Sequence, residues 1–93
     1  MHTTMRYYQG NPGLADELGG RADEIRSVIG AVPGFQAYYA VRLDDATVTI
    51  TVCDDEAGTA ESTRVAADWI RENMPDLAAS PPMVSSGTVT LSA

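Results

Sequence analysis

Side chains in the centre of the chain alternate between two kinds. Val48, Ile50 and Val52 interleave with Thr47, Thr49, Thr51 and Cys53, the period of a strand with two different faces. The run before it, Phe35-Gln36-Ala37-Tyr38-Tyr39-Ala40-Val41-Arg42-Leu43, is rich in strand formers, and Asp44-Asp45 separates the two as a hairpin turn. Pairing across that turn sets Val41 against Val48, Tyr39 against Ile50 and Ala37 against Val52. On the other face Arg42 meets Thr47, Ala40 meets Thr49 and Tyr38 meets Thr51. One face is apolar and the other rich in hydroxyls. The expectation is that the apolar set, Phe35, Ala37, Tyr39, Val41, Leu43, Val48, Ile50 and Val52, packs against helices. Gln36, Tyr38, Ala40, Arg42, Thr47, Thr49, Thr51 and Cys53 would then lie uncovered.

The flanking segments complete the pattern. Thr3 to Gln9 reads as a strand with Tyr7 and Tyr8 on opposite faces, and Gly10-Asn11-Pro12-Gly13 is a turn. Leu14, Leu18, Ala22, Ile25, Val28, Ile29 and Val32 recur in helical steps, which predicts a helix over Leu14 to Val32, loosened or bent at Gly19-Gly20. Pro33-Gly34 stops it. A second helix is predicted from Ala57 to Met74, with Ala60, Thr63, Ala66, Ala67, Ile70 and Met74 facing inward and Val65 and Trp69 beside them. Pro75 ends it, Ser80-Pro81-Pro82 forms a rigid connector, and Met83 to Ser92 is a last strand with a bulge at Gly87. The order β-α-β-β-α-β with right-handed crossovers gives an α+β, ferredoxin-like domain spanning residues 1–93: a four-stranded antiparallel sheet with two helices on one face.

Composition narrows the partners. Thirteen acidic and six basic residues leave a formal charge of −7, which argues against nucleic acid and anionic membrane. No apolar run approaches the roughly 20 residues a bilayer-spanning helix needs, and the N-terminus has no signal-peptide core. The single cysteine, Cys53, has no disulfide partner within the chain. Together these features lead us to expect a cytoplasmic protein.

The residues then resemble a known family. Pro12-Gly13 before the first helix, Pro33-Gly34 after it, Tyr38 four residues on, Arg42 a further four on, the acidic helix start Asp54-Asp55-Glu56 and Gly87 in the last strand are similar to the antibiotic-biosynthesis monooxygenase-like domains of the dimeric α+β barrel superfamily. The resemblance implies that two sheets close a barrel. It thus implies a homodimer, joined here through the hydroxyl-rich face with Tyr8, Tyr38, Arg42, Thr49 and Thr51 at the interface. It also implies oxygenation of an aromatic or polyketide-type molecule without metal or flavin. The chain departs from the family pattern at three positions. Cys53 stands where a tryptophan is common, Thr51 where a glutamate is common, and a frequent helix-two histidine falls near Ser62. The haem-degrading branch uses an axial histidine, and the only histidine here is His2.

Candidate chemistry is sparse. If a ligand binds, the expected site lies between helix two and the sheet, bounded by Tyr7, Tyr39 and Trp69. Their aromatic faces suit a flat apolar molecule, and the phenols can orient a carbonyl or phenolate. The same residues also serve as ordinary amphipathic packing. Asp54, Asp55 and Glu56 suit a helix N-terminus better than a hard cation, because no spaced calcium loop follows. Cys53 has neither a second cysteine nor a nearby histidine, so no metal and no cofactor are expected. Two readings stay open: a cofactor-independent monooxygenase-like enzyme, and a non-catalytic dimeric module that binds a small molecule or assists another protein.

Overall fold

The structure, a computed structural model, describes residues 1–78 and 81–93. Its elements are β1 (His2–Gln9), α1 (Gly13–Gly20), α2 (Ala22–Ile29), β2 (Phe35–Arg42), β3 (Ala46–Cys53), α3 (Glu56–Asn73), α4 (Pro75–Ala78) and β4 (Met83–Thr88). The sheet order is β2-β3-β1-β4 with every neighbour antiparallel, and the helices cover one face, the ferredoxin-like arrangement. The six cross-strand pairs expected of the hairpin, from Ala37–Val52 to Arg42–Thr47, are all present.

Three local expectations are corrected. The helix expected over Leu14 to Val32 is two helices. Arg21, at φ −118° and ψ 33°, breaks it just after Gly19-Gly20, and its N–H turns back to the Leu18 carbonyl at 3.1 Å. The last strand stops at Thr88, and Gly87 pairs in register with Thr3 without a bulge. The irregularity sits instead at the start of β2, where Phe35 pairs with Cys53 but Ala37 pairs with Val52. Gln36 is thus the extra residue, and Phe35 turns to the helix side, where it packs on the core. Ser80, the first residue of the expected proline connector, lies outside the described residues.

The larger correction concerns the faces. Thr47, Thr49, Thr51 and Cys53 are at most 2% exposed beneath the helices, whereas Val48, Ile50 and Val52 are only half-buried on the open side. Tyr39 and Val41, expected in the core, are exposed there too, Tyr39 at 58%. Alternation identifies which residues share a face, but not which face is covered. Threonine is close to valine in shape, so burying it costs little once its hydroxyl has a partner. Each of these threonines has one. Thr47 Oγ1 donates to the Asn11 carbonyl at 2.7 Å and accepts from the Ala15 N–H at 3.0 Å, tying α1 to β3. Thr49 and Thr51 accept from Arg6. The apolar content of the core comes from the helices instead: Leu14, Leu18, Ile25, Ile29, Trp69 and Ile70 close over Tyr8.

The start of α3 is tightly built. Asp55 is its N-cap, with its carboxylate accepting the Gly58 N–H at 3.0 Å, so the acidic run serves the helix start. A Cβ on Gly58 would come within 2.7 Å of the Pro33 carbonyl oxygen and 2.8 Å of Cys53 Cβ. Gly58→Ala should therefore destabilise the protein by about 1–3 kcal/mol in urea unfolding, despite alanine's better helix propensity. Gly19→Ala meets nothing within 4 Å. It should leave stability unchanged or raise it by up to about 1 kcal/mol, so equal effects at both sites would refute the packing at Gly58.

Candidate functional site

Alternation on β1 sends Thr4, Arg6 and Tyr8 under the helices. Arg6 is 1% exposed. Its Nε donates to Thr49 Oγ1 at 3.1 Å and its Nη2 to Thr51 Oγ1 at 2.7 Å, both on β3. Its Nη1 donates to Ser62 Oγ at 3.3 Å and Thr63 Oγ1 at 3.1 Å, both on α3. These hydroxyls can accept because their own protons go elsewhere. Ser62 donates to the Thr59 carbonyl at 2.7 Å and Thr63 to the same oxygen at 3.3 Å. Every partner of the guanidinium is neutral, and among the described residues Arg6 makes no ion pair.

Two phenols flank this charge. Tyr8 from β1 is buried, and Tyr38 from β2 is largely so. Burial pushes both above the ordinary phenol value of 10.0, and the nearby Arg6 charge pulls partly against that rise. Both are therefore neutral proton donors at physiological pH. Across the layer Trp69 on α3 is 6% exposed. Its Nε1 donates to the Glu24 carboxylate on α2, and the Arg21 guanidinium lies 5.5 Å from the ring centroid. Trp69 is thus pinned by the residue that breaks α1 from α2.

Space is distributed unevenly around these groups. A void of about 20 Å³ remains between Tyr8, Tyr38, Thr49 and Trp69. A cleft of about 670 Å³ opens between α1–α2 and β2, lined by Ile25, Ile29, Phe35 and Tyr38 with Tyr39 at its edge. A second cleft, of about 350 Å³, runs between α3 and β4 with Arg6 and Tyr8 among its lining residues.

The expected site residues are redistributed. Tyr7 and Tyr39 lie on the open face and Trp69 beneath the helices, so the three do not bound one cleft. Of the expected interface residues, Tyr8, Tyr38, Thr49 and Thr51 gather on the covered face around Arg6. Arg42, on the same side of the sheet, instead pairs with Asp16 on α1 at 3.4 Å. Arg6 itself was not anticipated. The available signal was an arginine in mid-strand between Thr4 and Tyr8, at the same parity as both. Cys53 is buried and its thiol is pushed up by burial and by Asp54 and Asp55, so it is poorly reactive. Among the described residues no three histidine, cysteine or acidic side chains gather to hold a metal, and no helix is long and apolar enough to cross a membrane.

No family model and no curated protein matches the chain. Solved structures do. The NE2512 protein of unknown function from Nitrosomonas europaea superposes with a TM-score of 0.72 at 19% identity, over 99% of this chain and 91% of that one. The monooxygenase ActVA-Orf6 of Streptomyces coelicolor, solved in complex with nanaomycin D, gives 0.70 at 18%, over 99% and 89%. SnoaB, a cofactor-independent oxygenase from Streptomyces nogalater, gives 0.57 at 17%, over 98% and 94%. The chain therefore has the fold of the antibiotic-biosynthesis monooxygenase-like proteins, as the sequence resemblance implied, and at these identities the likeness is one of fold.

The two phenols make a pH prediction. A phenol whose folded pKa lies above its unfolded one keeps its proton longer when folded. Above pH 10 the unfolded chain then binds fewer protons, so stability falls as pH rises. Alkaline titration of tyrosinate absorbance should show a late-ionising component that Tyr8→Phe or Tyr38→Phe reduces. Its absence would mean the two phenols are in contact with water.

Proposed function

We propose that this protein binds an aromatic or polyketide-type small molecule in the helix–sheet layer and acts on it as a cofactor-independent, monooxygenase-like enzyme. The observation that carries this reading is the convergence of one guanidinium and two neutral phenols, Arg6, Tyr8 and Tyr38, under an apolar helical cover. Such a set orients a flat substrate and stabilises negative charge on its oxygen. A substrate that ionises to a carbanion or phenolate supplies the electrons for dioxygen itself. Carbon–oxygen bond formation gives a hydroperoxide, and loss of water from it leaves a carbonyl. The protein need only hold the anion and deliver a proton from a phenol. The fold likeness to a monooxygenase and a cofactor-independent oxygenase supports the assignment.

One observation favours the second reading, a binding or accessory module without catalysis: only about 20 Å³ is open between Tyr8, Tyr38 and Trp69. Metal-free protein incubated with polycyclic hydroquinones separates the two. Oxygen uptake above the protein-free control is expected, and Tyr38→Phe or Trp69→Leu should slow it. Loss of one anion-stabilising donor is worth on the order of 100-fold. A hydroquinone that binds without any oxygen uptake would leave the module.

We further propose a homodimer, formed through the face opposite to the one the sequence pattern suggested. The open side of the sheet presents Met5, Tyr7, Tyr39, Val41, Val48 and Ile50 and, among the described residues, carries no charged side chain, whereas the threonine face is already covered. An exposed apolar sheet of this kind suits a second copy of itself. Light scattering at micromolar concentration should give about twice the 9.9 kDa chain mass, and Ile50→Glu should return it to one chain. A single-chain mass for the unaltered protein would reject the dimer.

A further inference from the structure

The groups that would meet a ligand and the space that would admit one lie in different places. The void between Tyr8, Tyr38, Thr49 and Trp69 has about 20 Å³, room for about one water molecule and for no aromatic ring. The cleft outside it, between α1–α2 and β2, has about 670 Å³, within the range of small-molecule pockets. Four side chains line both: Leu18 on α1, Ile25 and Ile29 on α2, and Tyr38 on β2. They form the wall between the two spaces.

The parts of the layer around the void are held unequally. The Tyr38 hydroxyl is hydrogen-bonded with Arg6 and Thr49. On the far side, α3 is tied to the sheet through Arg6, which bonds Ser62 and Thr63. α2 has no such tie. Asp23 is bonded within the helix, by Arg26 and Ser27. Among the described residues, the one side-chain hydrogen bond from α2 to another helix or strand runs from Trp69 Nε1 to the Glu24 carboxylate. Glu24 is about half-exposed, so water can take the place of that bond. The ends of α2 are loose as well. Gly19, Gly20 and the non-helical Arg21 precede it, and Gly30 follows. An added Cβ at Gly19 or Gly20 would meet nothing within 4 Å, so close packing does not call for either glycine.

We propose that α2 is a gate between the cleft and the void, with the Glu24–Trp69 bond as its latch and Gly19-Gly20-Arg21 as its hinge. Its swing carries Ile25, Val28 and Ile29 out of the wall and joins the two spaces into one chamber that admits a ring system. A ligand binds the open form and shifts the population toward it. The proposal rests on the reading above in taking this layer as the place a ligand reaches, and it requires no turnover.

Ala66 lines the void and not the cleft, so Ala66→Cys reports on the connection between them. The probe is dithiodipyridine, a flat aromatic disulfide that a reached thiol attacks, releasing coloured thiopyridone. The native Cys53, 0% exposed and lining neither space, is the internal control. The introduced thiol should react much faster than Cys53 and at a rate that dilute urea does not change, because a local opening exposes little surface. Cys53 should react through global unfolding, at a rate that rises steeply with urea. Glu24→Ala removes the latch without weakening helix propensity, and should speed the introduced thiol about tenfold, the scale of one hydrogen bond to a charged group. Gly19→Ala together with Gly20→Ala should slow it. Should Ala66→Cys fail to fold by circular dichroism, hydrogen exchange of the unaltered chain decides: α2 amides must exchange ahead of β1 amides and independently of dilute urea, or the gate is overturned. An introduced thiol that reacts no faster than Cys53 would overturn it too. So would labelling that Glu24→Ala leaves unchanged, which would mean entry past Ile70 from the α3–β4 cleft. Oxygen uptake with hydroquinones alongside either result would keep the oxygenase reading and sink this one. Latch-dependent labelling without oxygen uptake would do the reverse.

Discussion

A guanidinium shut away from water must be surrounded by oxygen, and meeting that need for Arg6 organises much of this molecule. Thr49 and Thr51 supply oxygens from β3, and Ser62 and Thr63 supply them from α3. Three elements are thereby tied at one point, and the hydroxyls are turned toward it because Ser62 and Thr63 give their protons to the Thr59 carbonyl. The threonine side of the sheet has to lie inward to do this, so the valine and isoleucine side lies outward. The polar heart of the layer and the bare apolar face are two results of one requirement.

The same interaction gives meaning to the positions at which the chain departs from the family it resembles. Thr51, where a glutamate is common, and Ser62, near which a frequent histidine falls, are both partners of Arg6. Small hydroxyls there leave room for a long cationic side chain from β1. In this chain one fixed cation stands there with two neutral phenols beside it. Such a site is better suited to holding an anion than to removing a proton.

Much of the fold was legible because it depends on local pattern. The Thr/Val alternation and the two-residue turn set the hairpin register, and α3 has capping and stop signals close to its observed ends. What could not be read depends on a partner distant in sequence. Thr49 is buried because Arg6, 43 positions away, bonds to it, and alternation alone is indifferent to inversion of the whole sheet. Phe35 does face the helices, as expected, but it gets there through the bulge at Gln36, which simple alternation does not contain. The Gly19-Gly20 pair signalled a weak helix, but not that Arg21 would leave helical geometry and lie against Trp69. The candidate site was therefore seen in part. Tyr8, Tyr38, Thr49 and Thr51 share one face of the sheet, as alternation groups them, but that face is the covered one.

The arrangement around Trp69 makes the protein its own optical probe. Trp69 is the chain's single tryptophan, and its indole is held between the Glu24 carboxylate and the Arg21 cation, both beside the break in the helical layer. Ring and break are mechanically one unit: α2 cannot swing from the sheet without parting indole from carboxylate, and α1 cannot pivot on α2 without moving the cation over the ring. Either movement changes the polarity and charge around a lone fluorophore. Opening of the layer, whether to admit a molecule or by thermal fluctuation, is thus written into the emission of the native chain, with no label added.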